Sequence, residues 1–476
     1  MPLKEHCGVI GIRTHKRRDD LGFLIYQGLL TLQHRGQSSA GITVVQDNKM
    51  KTISDLGYVR DIFDKPILSS LMGTFGLGHV RYPTAGQELS EGIQPYMITT
   101  KNFKLAIAFN GTISNYEQVR DYLMDQGYRF SHDTDTEVIG KLLDLGLEKG
   151  NGNLEKACQL LFDHLDGAFS IIFLTSKGEM VALRDPYGVK PLCYGKTNEG
   201  DVVVASETIG LTIVGAEPLA DIKPGEILII KNRRLKTKHL VRKEEAAHCM
   251  FEWVYFARPD AILDGISVYE ARERIGRALG ELFRERGYEA DLVVPIPDSG
   301  RIAAIGFSKA TDTEYSEALI RNRYVGRTFI MPKQHAREEA VKLKLNVLPS
   351  LVEGKDVVLV DDSIVRGTTS KGIIKMIRDA GANKVYFAVS CPKLIKPCFL
   401  GTDFPTEREL IASERTDEEI ADIIGVDAVI YNTIPKLVDA IGFDKWPENE
   451  HLCLACLNGD YPIETEISKG LAERET

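Results

Sequence analysis

The stretch Val357-Val-Leu-Val-Asp-Asp-Ser-Ile-Val-Arg-Gly-Thr-Thr-Ser370 joins four apolar residues to two adjacent carboxylates and a Gly-Thr-Thr turn. The apolar run reads as a buried parallel strand. The turn opens an amphipathic helix carrying Ile373, Ile374, Met376 and Ile377. Ligands of open parallel sheets bind beyond the carboxyl ends of the strands, and a helix N-terminus offers unpaired N–H groups to anions. Ser363 to Ser370 can therefore cradle a phosphate. Asp361 and Asp362, one strand-end away, suit sugar hydroxyls or hydrated Mg²⁺. Neither G-x-G-x-x-G nor G-x-x-x-x-G-K-[ST] is present at this turn.

A second constellation lies near the chain start. Cys7 opens an apolar strand, Cys-Gly-Val-Ile-Gly-Ile. Taken alone, it reads as a small buried hydrophobe. Four further segments point to nucleophilic chemistry: Leu32-Gln-His-Arg-Gly-Gln-Ser-Ser-Ala-Gly-Ile42, Gly78-His-Val-Arg-Tyr-Pro-Thr-Ala-Gly86, Phe109-Asn-Gly-Thr-Ile-Ser-Asn115 and Thr134-Asp-Thr-Glu137. Arginines at strand ends beside Gly turns suit carboxylate clamps. Asn110 and Gly111 can offer a side-chain amide and a backbone N–H to an oxyanion.

The chain carries eight cysteines. Cys453-Leu-Ala-Cys456 is a C-x-x-C, for which zinc and redox readings both stand open. Further charged chemistry follows Pro295-Ile-Pro-Asp-Ser-Gly-Arg301. The stretch with Arg321, Arg323, Arg327, Lys333, Arg337, Lys342 and Lys344 reads as an active-site lid.

The elements that must position these groups have two rhythms. Strands are predicted over 7–13, 41–46, 76–82, 105–109, 168–174, 180–184, 202–205 and 225–230, with helices over 21–33, 115–125, 135–147 and 154–165. That grouping predicts an α+β sandwich of antiparallel sheets. From about residue 268, helices 268–286, 301–309 and 369–380 alternate with strands 292–297, 357–362, 385–390 and 427–431, predicting a parallel sheet. The basic stretch Lys231–Lys243 is the expected seam. At 476 residues the chain is too long for one core. Its net charge of −9 argues against non-specific nucleic-acid binding. No apolar run reaches the ~20 residues of a membrane span, and the expected compartment is cytoplasmic. The cysteines are then expected to serve catalysis or metal binding rather than a disulfide set.

The strand and loop at 357–370 closely resemble the motif by which phosphoribosyltransferases bind 5-phosphoribosyl-1-pyrophosphate (PRPP). The first half resembles the class II, N-terminal-nucleophile glutamine amidotransferases. Together with Tyr255-Phe-Ala-Arg-Pro-Asp260 and Asn322-Arg-Tyr-Val-Gly-Arg327, nearly the whole chain is similar to the amidophosphoribosyltransferase family, in its iron–sulfur subclass. The resemblance implies an αββα N-terminal-nucleophile sandwich over 7–240 and an α/β type I phosphoribosyltransferase domain over 250–476. It also implies a cleaved leader, residues 1–6.

The implied activity converts glutamine and PRPP to 5-phosphoribosylamine, glutamate and pyrophosphate, the first committed step of purine synthesis. Cys7 attacks the glutamine amide with its own α-amino group as base; an α-amine pKa near 8 suits the task. Asn110 and Gly111 hold the oxyanion, while Arg35, Arg81 and Asp135 bind glutamine. PRPP rests on Asp361, Asp362, Ser363, Ile364, Val365, Arg366, Gly367, Thr368 and Thr369. Mg²⁺ takes Ser299, Asp361 and Asp362. A [4Fe–4S] cluster takes Cys249, Cys398, Cys453 and Cys456, with thiolate zinc as the alternative. Cys158 and Cys193 read as core. Purine nucleotides as feedback inhibitors and a homotetramer are also implied. Two rival readings remain: a non-catalytic PRPP sensor, and a class II amidotransferase that makes an aminosugar.

Overall fold

A computed structural model of the chain describes residues 7–82, 92–100, 103–231, 234–243, 245–322, 344–402, 406–443 and 450–463. The expected leader lies outside these residues, as does most of the expected lid.

The first half carries strands β1 (Gly8–Arg18), β2 (Ser39–Gln46), β3 (Lys49–Leu56), β4 (Gly73–Arg81), β5 (Tyr96–Thr99), β6 (Lys104–Ile113), β7 (Gly167–Thr175), β8 (Glu179–Arg184), β9 (Cys193–Thr197), β10 (Val202–Ala205), β11 (Ala216–Asp221), β12 (Glu226–Lys231) and β13 (Arg234–His239). They form two antiparallel sheets, ordered β11-β9-β10-β1-β4-β2-β3 and β13-β12-β8-β7-β6-β5. Side chains alternate between the faces of a strand, and the sequence uses that period. Val9, Leu77, Ala106, Ala108, Ile172 and Leu174 fill the space between the sheets. On one outer face, Ile10 and Ile12 meet Leu21, Ile25 and Leu29 of helix Leu21–Thr31. On the other, Ile107, Phe109 and Ile171 meet helices Asp135–Lys149 and Leu154–His164. The order helix, sheet, sheet, helix is the expected αββα sandwich.

The seam expected at Lys231–Lys243 is not a linker. Its residues 234–239 form β13, in register with β12 from Lys231↔Arg234 to Glu226↔His239. Lys236 and Lys238 both reach Glu155, each at 2.6 Å. A basic run imitates a boundary here because edge strands carry lysine to block further pairing.

The second half carries β14 (Ala246–Cys249), β15 (Ile262–Leu263), β16 (Ile266–Ser267), β17 (Leu292–Pro295), β18 (Glu314–Tyr315), β19 (Leu319–Arg321), β20 (Leu345–Val347), β21 (Asp356–Asp361), β22 (Lys384–Val389), β23 (Ala428–Tyr431) and β24 (Glu450–Cys453). A parallel sheet runs β18-β17-β21-β22-β23. Helices Val268–Glu285 and Gly300–Thr311 pack Leu279, Phe283 and Phe307 on one face. Helix Thr368–Asp379 packs Ile373 and Ile377 on the other. One hydrophobic cluster runs from Ile10 through Met250 and Trp253 to Leu359 and Ile463, so the two halves share a core.

Candidate active sites

Cys7 immediately precedes β1, which lies between β10 and β4. Its Sγ donates to the Tyr82 carbonyl at 3.9 Å. Burial raises the thiol above its ordinary value, and the charges of Arg81 and Lys190 oppose that rise. Arg81 ends β4 and is 5 % exposed. A buried guanidinium beside the nucleophile suits a substrate carboxylate. His79, two residues back, turns its Nε2 to the Phe109 carbonyl at 3.0 Å and so ties β4 to β6. Burial pushes its imidazole down to about 3, which removes it as a general base near neutrality.

Asn110 follows Phe109 and is fully buried, yet neither end of its amide has a protein partner. An unmet donor and acceptor at such a point is costly unless a ligand supplies the partner. Gly111 has φ +152, and a Cβ there would fall 2.0 Å from the Ala168 carbonyl oxygen. Only glycine lets the backbone take this course. Two residues on, Ile113 N–H donates to Asp135 Oδ2 at 3.3 Å. Asp135 opens its helix after the capping residue Thr134. Although part of its surface stays open, burial pushes its carboxyl up to about 7, and Asp133 adds to the rise.

Arg35 departs from the expectation that it binds glutamine. Its side chain is fully buried, with the guanidinium held by Glu207 and Glu252. No face of it is left for a substrate carboxylate. It packs instead behind the nucleophile, where a Cβ on Gly8 would lie 3.4 Å from Arg35 Cβ. Burial works to raise the Glu207 carboxyl, but His34 and Arg35 outweigh it and hold it at about 2. His34 spends both ring nitrogens, on Glu207 Oε1 at 2.7 Å and on the Thr31 carbonyl at 3.0 Å. Neither Glu207 nor Glu252 carries a sequence signal; both become visible only when the chain is folded.

The second site lies at the carboxyl end of β21. Asp362 N–H donates to Asp361 Oδ1 at 2.9 Å, and Ser363 Oγ donates to Asp362 Oδ1 at 2.6 Å. Burial raises both carboxyls, and Asp362 raises Asp361 further. Ser299 and Ser363, by hydrogen bonds, and the Arg272 charge pull Asp362 back. Ser299, Asp361 and Asp362 are thus together. Two carboxylates crowded in a buried pocket fit a divalent cation. Ile364 is buried, the Val365 carbonyl accepts from Ile411 N–H at 2.8 Å, and Arg366 pairs with Glu409 at 2.8 Å. Gly367 caps the helix at φ +72, leaving Thr368 and Thr369 in its first turn. The helix N-terminus therefore stands at the carboxyl end of β21, where the sequence predicts a phosphate cradle.

Four cysteines meet behind these sites. The parallel pair β14–β24 sets Cys249 opposite Cys453. Cys456 lies three residues on, and its carbonyl accepts from Ile395 and Lys396 N–H at 3.0 and 3.2 Å. Cys398 Sγ accepts from Leu400 N–H at 3.4 Å. Burial raises Cys456 and Cys453, and the neighbouring thiols raise them further. Among the described residues, no three His, Cys, Asp or Glu side chains already stand as a ligand set. The donor chemistry still fits a thiolate-binding metal group: four soft donors in one neighbourhood, Cys249 and Cys456 buried and Cys398 and Cys453 half-buried, whose anionic state needs a cation. Cys391, two residues past β22, neighbours them, its N–H donating to the Asp362 carbonyl at 2.8 Å.

Residues 79–212 match the family described as "Glutamine amidotransferase domain", and 267–398 match "Phosphoribosyl transferase domain". An amidophosphoribosyltransferase of Methanothermobacter thermautotrophicus is 43% identical over 473 residues, covering 99% of this chain and 97% of its own. That of Bacillus subtilis is 41% identical over 463 residues, covering 97% and 95%. The solved glutamine PRPP amidotransferase from B. subtilis, complexed with ADP and GMP, superposes with a TM-score of 0.88 at 40% identity, covering 96% of this chain and 98% of that one. Fold and site together define a glutamine amidotransferase joined to a phosphoribosyltransferase. The chain belongs to the amidophosphoribosyltransferase family. Among the described residues, no helix is long and apolar enough to cross a membrane.

Proposed function

We infer that the chain hydrolyses glutamine in its first half and uses the ammonia in its second half to displace pyrophosphate from PRPP. The products are 5-phosphoribosylamine, glutamate and pyrophosphate, the entry to purine synthesis. One observation supports the reading: the half that carries Cys7 and the half that carries Asp361 to Thr369 share one continuous hydrophobic core.

In the first half, we propose that Cys7 attacks the glutamine amide once residues 1–6 are removed. Its freed α-amine accepts the thiol proton. Arg81 holds the substrate carboxylate, Asp135 its ammonium, and Asn110 with the Gly111 N–H the oxyanion. Arg35, with its charge met by Glu207 and Glu252, positions the strand that carries Cys7. In the second half, the first turn of helix Thr368–Asp379 takes the 5-phosphate, and Asp361 and Asp362 orient the ribose hydroxyls. Positioning and charge stabilisation are most of what such a displacement requires.

Ser299, Asp361 and Asp362 would hold Mg²⁺, which screens the charge of the departing pyrophosphate. Cys249, Cys398, Cys453 and Cys456 would hold a [4Fe–4S] cluster, placing the chain in the iron–sulfur subclass; thiolate zinc is the alternative. We also propose purine nucleotides as inhibitors, supported by the ADP and GMP of the B. subtilis structure. A homotetramer and a cytoplasmic setting complete the reading. Incubation with PRPP, Mg²⁺ and either glutamine or ammonium, with assay of pyrophosphate, tests it. Release with neither nitrogen donor would refute it.

A further inference from the structure

Among the described residues, Lys190 is the one lysine that is buried, at 0 % exposure. Its backbone lies where three parts of the molecule meet. The segment 187–190 runs beside β14, taking Ala247 N–H on the Tyr187 carbonyl at 2.7 Å and Cys249 N–H on the Val189 carbonyl at 3.3 Å. The Lys190 carbonyl accepts from Arg184 Nε at 2.7 Å and from Ser170 Oγ at 3.2 Å. Ser170 on β7 stands in register with Asn110 on β6. Lys190 is therefore one hydrogen bond from the strand partner of Asn110, and its neighbour Val189 is one hydrogen bond from Cys249.

A buried ammonium is costly to desolvate and is kept where negative charge forms beside it. The Cys7 thiolate and the tetrahedral oxyanion at Asn110 are the negative states expected in the first half, and the Lys190 charge is one of those felt at Cys7. Arg81, from β4, is the other positive group felt at Cys7. We propose that Lys190 is a positioning residue of the glutamine site, its buried charge favouring the anionic states of the reaction. The inference rests on Cys7 being the nucleophile. Its charge is felt at that thiol and also at Cys249 and Cys453, so it neighbours both the glutamine site and the cysteine group.

The test compares Lys190→Met, Lys190→Gln and Lys190→Arg with the parent enzyme. Alkylation of Cys7 by iodoacetamide at one fixed pH is followed by peptide mass spectrometry, and kcat and KM for glutamine are measured separately. Both neutral variants are expected to alkylate at least about tenfold more slowly and to lose kcat with little change in KM. Lys190→Arg is expected to restore most of both. A folded neutral variant with parental alkylation and kcat would overturn the proposal. So would failure of both neutral variants to fold while Lys190→Arg folds, because the charge would then serve the fold. If Cys7 of the parent resists alkylation, the nucleophile assignment itself fails, a result distinct from either.

Discussion

The guanidinium of Arg35 donates through Nη1 to Glu252 Oε1 at 3.3 Å, across 217 residues of sequence. Arg35 belongs to the amidotransferase half, and Glu252 opens a π-helical turn in the stretch leading to the phosphoribosyltransferase sheet. The carbonyls of Trp253 and Ala257, in and just after that turn, accept from Arg272 at 2.7 and 2.8 Å. Arg272 is in turn one of the charges felt by Asp362. A short path of charged and hydrogen-bonded groups thus joins the support of Cys7 to the loop after β21.

Cys7→Ser should cut glutamine-dependent synthesis by roughly a thousandfold or more, the scale seen when a covalent nucleophile is removed. Synthesis from added ammonium salt should persist, because the nucleophile belongs to one half only. Loss of both activities in a folded variant would disprove this division of labour.

Asp361→Asn and Asp362→Asn should do the reverse. Each removes a charged contact worth a few kcal/mol, or roughly a hundredfold in rate. Turnover of PRPP with either nitrogen source should fall, while basal glutamine hydrolysis survives. Undiminished pyrophosphate release would show that the carboxylates do not meet PRPP.

Asp135 should make glutamine binding depend on pH. Its carboxyl is raised to about 7, chiefly by burial, so it is mostly protonated at pH 6 and mostly ionised at pH 8. Only the ionised form pairs with an ammonium. Binding of glutamine to a Cys7→Ala variant, which removes the nucleophile's own titration, should tighten about tenfold over that interval. The sign for stability is opposite. A carboxylic acid raised by folding binds its proton more tightly when folded, so its contribution falls as pH climbs from about 4 to 7. A flat calorimetric titration would leave Asp135 without this part.

Anaerobically prepared protein should be brown and hold about four iron and four sulfide per chain. Cys249→Ser should lower both. Stoichiometric zinc without sulfide would support the tetrahedral alternative.

Intact mass of active enzyme should show a chain starting at Cys7. With the leader attached, the residue-7 nitrogen is an amide and cannot accept a proton near neutral pH. Glutamine-dependent activity in a preparation that retains all six leader residues would rule out the α-amine as base, and neither His34 nor His79 offers a ready substitute.

What the sequence reveals is what neighbours in sequence determine together. The strand, paired carboxylates and glycine turn at 356–379 are legible because each acts on the next few residues, and the alternation in β1, β6 and β7 marks both faces of the sandwich. Asn110 and Gly111 can be singled out, but not the emptiness around the Asn110 amide, which depends on how β4 and β6 approach. Arg35 misleads for a similar reason. Arginine beside a glycine turn suits a carboxylate clamp, and nothing nearby announces that Glu207 and Glu252 will claim it. The basic strand β13 reads as a linker because charge outweighs its short alternating pattern.

The hydrophobic cluster that passes through Met250, Phe251 and Trp253 without a break has a consequence for genetics. A lesion in that shared interior should depress both catalytic steps in proportion, since it lowers the amount of intact molecule. A lesion in either pocket should separate them. The ratio of glutamine-driven to ammonia-driven synthesis in a mutant therefore tells damage to the scaffold from damage to the chemistry, using two rates and nothing more.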